Sequence, residues 1–321
     1  MKISKAIVGF QYSRIAEGFA ESTLRSYHSS LLLLADYLGD PDIEQVTAPD
    51  LKRFFYYLRT DYKPRRPNKT TTTLASASIH GKWKAIRCLW TWATEDLGIE
   101  NISLKIPMPE YSSQEVDPFT EGEVQAILAA CDYTSEAATG SRKGYKKHRY
   151  TALRDKMIVM LLLDTGLRVG ELSRLNVGDV DLSNRRIQVA PFGRGKKTSG
   201  RTVKIGKKTC TLIWRYLSER ADATPTSPLM LEQEGFGRLE EGSIKNLVQR
   251  LGKRGGLPSC HPHKFRHTFA IQYLRNGGDV YTLQELLGHS SLDMVKRYLQ
   301  IAQIDIDSAF NKASPVDNWK L

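Results

Sequence analysis

The sequence predicts a mainly α-helical chain with a small β-hairpin or sheet, divided into a helical first domain and a mixed α/β second domain. Three observations carry that prediction. Apolar residues before position 100 recur at helical spacing, with no alternating run among them. The stretch "KIPMPEYSSQEVDPF", residues 105–119, breaks the pattern with three prolines and paired serines, the composition of a linker. Beyond it two β-branched runs, "RRIQVAP" (185–191) and "RTVKI" (201–205), flank the glycine-rich "FGRGKKTSG", which reads as a hairpin.

Each element has its own signal. Residues 22–38 place Tyr27, Leu31, Leu34 and Leu38 on one helical face. Residues 49–59 follow, with Pro49 suited to a first turn. A third helix over 73–97 carries the stripe Ile79, Trp83, Ile86, Trp90, Ala93 and Leu97, and Gly98 ends it. Lys84 and Arg87 lie on its more polar side, either as a solvated face or as a face that tracks phosphates. Thr120 and Glu123 form a capping box, with Phe119 placed to staple onto Val124. These signals divide the chain into a helical domain over 1–107, a linker over 108–117, a second domain over 118–304 and a C-terminal helix or tail over 305–321.

In the second domain, 155–166 reads as a buried helix stopped at Gly166, and 168–175 as a short helix. Further helices are expected over 207–221, 241–253, 262–275, 280–287 and 291–302, with Gly277-Gly278 as a stop signal. "GSRKGYKKHRY" (140–150) has five Lys/Arg and no acid, and is expected as a loop.

Composition narrows the function. Of 321 residues 40% are hydrophobic, so a core is expected and wholesale disorder is not. The formal net charge of +12 and pI near 9.4 point to a polyanionic partner, of which nucleic acid is the usual one. Cys88, Cys131, Cys210 and Cys260 are scattered and form no C-x-x-C pair, which argues against a disulfide framework or zinc ribbon and fits a reducing compartment. The N-terminal stretch lacks an apolar signal region, and the longest apolar run, Met157 to Leu163, is far short of the ~20 residues a bilayer requires. The expected location is the cytoplasm, with no membrane partner.

Several side chains suit phosphodiester chemistry. Arg168 follows the turn "DTG", and Glu171 is three residues on, placed to orient it. The hairpin region 193–208 holds seven Lys/Arg and no acid. "HPHKFRH" (261–267) sets His263 and Arg266 on one face of a helix start. "LGHSSLDMVKRY" (287–298) places Tyr298 nine residues after His289. Guanidinium forks hold non-bridging phosphate oxygens and stabilise the charge of a phosphorane-like transition state. A tyrosine hydroxyl, with an ordinary pKa of about 10, becomes a nucleophile only beside cations and a base. A lysine can protonate the leaving sugar oxygen. No carboxylate cluster of metal-ligand type is present, so a two-metal nuclease is not supported. Cys260, His261, His263 and His267 crowd one segment constrained by Pro262, which disfavours a zinc site.

Taken together and in this order, "TGLRVGEL", "HPHKFRHTFA" and "LGHSSLDMVKRY" resemble the three signature boxes of the tyrosine recombinases, the integrase family that includes Xer, Cre and phage lambda integrase. "STLRSYHSSLLLLADYL" is similar to the first helix of that family's core-binding domain. The resemblance spans roughly residues 10–305. It implies a SAM-like core-binding domain followed by a catalytic domain. It implies that Arg168 and Arg266 clamp the scissile phosphate of double-stranded DNA, that His263 and His289 assist proton transfer, and that Glu171 supports the arginines. Tyr298 would attack and become joined to the 3′ phosphate. The catalytic lysine stays open: counting back from Arg201 favours Lys196, and matching the family's "KT" favours Lys197, the preferred reading. Here the strand "RTVKI" lacks the proline the family usually carries. Arg194 and Arg201, with Lys84 and Arg87, are the DNA-binding candidates. The resemblance implies no cofactor and no metal, a homotetramer on two DNA sites, Holliday-junction exchange, a nucleoid location, and subunit contact through residues 304–311. A type IB topoisomerase and a non-catalytic DNA binder are the alternatives.

Overall fold

The computed structural model describes residues 1–64, 72–110, 117–134, 137–139, 142–145, 147–191, 200–220, 223–232, 237–288, 292, 295, 298–299 and 314–318. They group into two compact units, divided between Glu115 and Val116.

The first unit is helical: α1 (Ile3–Ala16), α2 (Glu21–Leu38), α3 (Ala48–Thr60) and α4 (Ser76–Leu97). Its core joins Ile7, Phe10, Leu31, Leu34, Leu51, Phe54, Leu89 and Trp90. α3 begins on a capping box between Thr47 and Asp50, with Pro49 in its first turn. α4 ends at Gly98 in the left-handed conformation, φ +68°. Its stripe is buried at Ile79, Ile86, Trp90 and Ala93, whereas Leu97 is exposed. α1 has no counterpart in the helices read from periodicity. It buries Ile3, Ala6, Ile7 and Phe10 but also exposes Val8, Tyr12 and Ile15, so its apolar residues ring the helix and no stripe stands out. The start of the proline-rich stretch packs on this unit. Ile106 is buried, its carbonyl accepts from Trp83 Nε1 at 3.3 Å, and His80 Nδ1 donates to the Pro109 carbonyl at 3.3 Å.

The second unit contains α5 (Glu121–Asp132), β1 (Ala137–Thr139), β2 (Arg142–Tyr145), α6 (Ala152–Thr165), α7 (Val169–Ser173), β3 (Val180–Asp181), β4 (Arg186–Val189), β5 (Arg201–Lys204), α8 (Lys207–Ser218), α9 (Glu241–Arg254), α10 (Pro262–Arg275) and α11 (Val280–Leu287). α5 starts on the expected capping box, with Glu123 N–H donating to Thr120 Oγ1. Phe119 packs its ring 4.7 Å from Phe265 and donates its backbone N–H to Thr268 Oγ1 at 2.8 Å, which ties the start of α5 to α10. α6 runs through the core, with Met157, Ile158, Leu161 and Leu162 fully buried and the helix packed against α5, α7, α8 and α10.

β3, β4 and β5 form an antiparallel sheet. Ile187 faces Val203 across β4 and β5, and both are buried. The two expected strands are present, and short β3, two residues long, extends the sheet. The stretch 140–150 departs from the expected loop: β1 and β2 pair antiparallel. The pairing continues through Thr134 N–H to the Lys147 carbonyl and Arg149 N–H to the Asp132 carbonyl, both 2.8 Å. Backbone pairing needs no β-branched alternation, and the sequence here has none. At the hairpin's base the fully buried Asp155 accepts from Arg149 Nη1 and Arg154 Nη2, each at 2.8 Å. Among the described residues no helix is long and apolar enough to cross a membrane. The contact segment expected over 304–311 lies outside the described residues.

Candidate active site

The site begins where α6 stops. Gly166 takes φ +60°, and a Cβ there would lie 2.5 Å from Phe269 Cδ1, so both the backbone conformation and the space require glycine. The turn delivers Arg168 to the N-cap of α7. One turn on, Glu171 accepts the Arg168 backbone N–H at 2.8 Å and Arg168 Nη1 at 3.3 Å. The Glu171 side chain is only 1% exposed. Burial works against its charge, but hydrogen bonds and charge from Arg201, then Arg168, hold its carboxyl below the ordinary range.

Arg201, on β5, supplies the strongest of those contacts. Its Nη1 and Nη2 each donate to one Glu171 oxygen at 2.9 Å, and its Nε donates to the Leu286 carbonyl at 2.7 Å. Arg201, a DNA-binding candidate in the sequence, thus has all three guanidinium nitrogens engaged within the protein. The guanidinium turns inward because a buried carboxylate 30 residues earlier in the chain lies beneath it, a tertiary contact no local pattern reports.

Arg266 is fully buried on α10. Its Nη1 donates to the Gly166 carbonyl at 2.7 Å and its Nη2 to the Leu287 carbonyl at 2.8 Å. Burial, then the neighbouring Arg168, pushes its pKa down to about 9, which leaves it a cation at neutral pH. The Leu287 carbonyl also accepts from Arg168 Nη1 at 3.4 Å. Three guanidinium groups thus meet the C-terminal end of α11, the negative end of the helix dipole. Gly288 follows at φ +63° and ends α11 in the left-handed conformation.

His263, in the first turn of α10, opens to solvent. Surrounding protein, and then the charges of Arg266, His261 and Arg168, hold its imidazole below the usual value. The His267 ring lies 5.1 Å from that of His263 and 5.5 Å from that of Tyr298. Tyr298 is 6% exposed and packs with Ile271, Leu274 and Val295. Arg168, Glu171, Arg174, Lys245, His261 and His263 line a cleft of about 480 Å³.

The fold thus gathers Arg168, Glu171, His263, Arg266 and Tyr298 from three separate stretches of the sequence. Lys196, Lys197, Arg194 and His289 lie outside the described residues. In the first unit Lys84 is exposed on α4, while Arg87 sits 5.4 Å over the Trp83 ring and donates to the Ser103 carbonyl at 3.5 Å. The sequence offers His267 only as a metal ligand, although its i+4 spacing from His263 places both on one helical face. Among the described residues no group of three His, Cys, Asp or Glu could hold a metal.

Arg168, Arg201 and Arg266 face Glu171, leaving an excess of positive charge in a site that Arg168 opens to solvent. Such a site favours an anion, and planar guanidinium donors suit a phosphate.

The chain belongs to the phage integrase family, whose model matches residues 118–303. It is 28% identical over 305 residues to the tyrosine recombinase XerC of Corynebacterium efficiens, covering 95% of this chain and 89% of that one. It is also 28% identical over 300 residues to the tyrosine recombinase XerA of Saccharolobus solfataricus, with 93% and 89% covered. Among solved structures it resembles the Tn1549 transposon integrase in complex with a circular intermediate DNA, with a TM-score of 0.73, 20% identity and 98% and 99% of the chains covered. It likewise resembles a lambda integrase dimer bound to a core site, with a TM-score of 0.68, 16% identity and 93% and 95% covered. These structures share its fold.

Proposed function

We propose that this chain is a tyrosine site-specific recombinase that cleaves and rejoins double-stranded DNA through a 3′-phosphotyrosine intermediate. The observation that carries the reading is the convergence of Arg168 and Arg266 on the Leu287 carbonyl, with the His263, His267 and Tyr298 rings in sequence beside them. Family membership supports it independently.

Arg168 and Arg266 bind the non-bridging oxygens of the scissile phosphate and stabilise the charge that develops there. Glu171 orients Arg168. Tyr298 Oη attacks phosphorus while its proton passes to a base; His263, held largely neutral, is suited to accept it. The bond from phosphorus to the 5′ oxygen breaks, and that oxygen takes a proton from Lys197 or Lys196. His289 donates to a phosphate oxygen. The phosphotyrosine diester keeps the energy of the broken bond, so attack by a 5′ hydroxyl rejoins DNA without a nucleotide cofactor.

The first unit, the core-binding domain, and the second, the catalytic domain, together hold the duplex, with Lys84 and Arg194 on phosphates. Four copies on two sites exchange strands through a Holliday junction, each contacting the next through residues 304–311. A cytoplasmic, nucleoid-associated location follows from that substrate.

The test is covalent capture on nicked duplexes of randomised sequence, in chelator. Recovery of discrete sequences joined to wild-type protein, and none joined to Tyr298→Phe, is expected. Adducts at every sequence with plasmid relaxation would instead indicate a topoisomerase. Discrete binding without adducts would indicate a DNA-binding protein.

A further inference from the structure

We infer that Arg201 is a positioning residue that joins the two halves of the site, holding Glu171, and through it Arg168, against the end of α11 from which the chain continues to His289 and Tyr298. The inference rests on the recombinase reading above. Arg201 has no counterpart among the phosphate-binding or proton-transferring roles assigned there.

Three contacts define the joint. Two Arg201 nitrogens take the two Glu171 oxygens at 2.9 Å, and the third takes the Leu286 carbonyl at 2.7 Å. The side chain is 7% exposed. A planar fork with all three nitrogens engaged matches a carboxylate on one side and a carbonyl on the other, which a lysine ammonium does not reproduce. The same carboxylate carries Arg168 through its backbone N–H and its Nη1. At the far end the packing is direct: a Cβ on Gly288 would lie 3.1 Å from Arg201 Nη1 and 3.3 Å from its Cζ. The turn that precedes His289 therefore rests on the same guanidinium that fixes Glu171.

The charged groups facing Glu171 are Arg168 and Arg174 from the two caps of α7, Arg201 from β5 and Arg266 from α10. Arg201 makes the two-oxygen contact. Loss of that contact leaves burial less opposed, so the Glu171 carboxyl protonates at higher pH and Arg168 loses its partner.

The experiment compares wild type, Arg201→Gln, Arg201→Lys, Glu171→Gln and the Gln/Gln double variant on the nicked duplex that wild type captures. The readouts are DNA affinity, single-turnover cleavage rate against pH, and melting temperature of the DNA-free proteins against pH. Arg201→Gln is expected to cleave on the order of 100-fold more slowly, as misplacement of reacting groups does, with its affinity changed less than about threefold. Its acidic limb moves to higher pH. The double variant is about as slow as the slower single one, and Arg201→Lys recovers little. Wild-type cleavage in Arg201→Gln, an equal loss of affinity and rate, or slower cleavage with an unmoved limb would each overturn the inference. Capture of no duplex by wild type would count against the recombinase reading instead. The DNA-free melts still decide the joint: acidification through the carboxylate range must cost Arg201→Gln less melting temperature than it costs wild type, and Glu171→Gln must abolish that difference. Coincident profiles would overturn it.

Discussion

Replacing Gly166 with alanine probes the bend on which the site depends. Two costs follow from the structure. At φ +60° an L-residue costs about 1–2 kcal/mol relative to glycine. The added Cβ would also meet Phe269 Cδ1 at 2.5 Å and Leu287 Cδ2 at 2.9 Å, and overpacking of this kind costs roughly 1–3 kcal/mol. The sum is about 2–5 kcal/mol, which for a domain of this size lowers the melting temperature on the order of 10 °C. The displacement also bears on function, because the Gly166 carbonyl accepts from Arg266 and Leu287 accepts from Arg266 and Arg168. Urea and thermal melts measure the stability term, and adduct yield at a temperature where the variant is folded measures the displacement of the arginines. Gly242→Ala is the control, since its Cβ would meet nothing within 4 Å on helix α9; it should be neutral or slightly stabilising. A Gly166→Ala loss below about 0.5 kcal/mol, no larger than an ordinary surface substitution, would refute the reasoning.

Three further outcomes are expected. Asp155→Ala strands Arg149 and Arg154 beneath the β1–β2 hairpin and should cost about 3–5 kcal/mol, read by denaturant melts; a change under about 1 kcal/mol would show that water reaches the pair. His263 is held below its ordinary value in the native protein, so the unfolded chain binds more protons there, and its contribution to stability falls as pH drops through about 6.5. Glutamine does not titrate, so His263→Gln should lose less melting temperature than wild type as pH drops through this range, read by thermal melts against pH. Lys196→Ala and Lys197→Ala should differ in one respect: cleavage lost with an oxygen leaving group returns with a sulfur leaving group, which departs without a proton, only for the variant lacking the acid. Rescue of neither would place the acid on another side chain.

The parts of the fold legible in the sequence are those set by local chemistry. Thr120 and Glu123 read as a capping box because three residues suffice to make one. Gly98 and Gly166 read as stops because the left-handed conformation favours glycine. The Arg168–Glu171 pair was legible for the same reason, being one helical turn. What escaped was set by tertiary contact. α1 is apolar on opposite sides, with Phe10 buried and Tyr12 exposed, so its periodicity cancels. Backbone pairing makes Arg142–Tyr145 a strand without any β-branched signal. Arg201 carries the charge of a phosphate contact, yet its direction is set by Glu171 and Leu286, 30 and 85 residues away. His267 shares a face with His263, but its approach to Tyr298 depends on how the following chain returns to α10.

Covalent capture in chelator, with wild type beside Tyr298→Phe, tests the central claim most directly. Discrete duplexes should be joined to wild-type protein through a bond that survives denaturation and maps to Tyr298, with the Phe variant binding the same duplexes and joining none. Adducts of equal yield in both proteins, or a bond mapped to another residue, would contradict it.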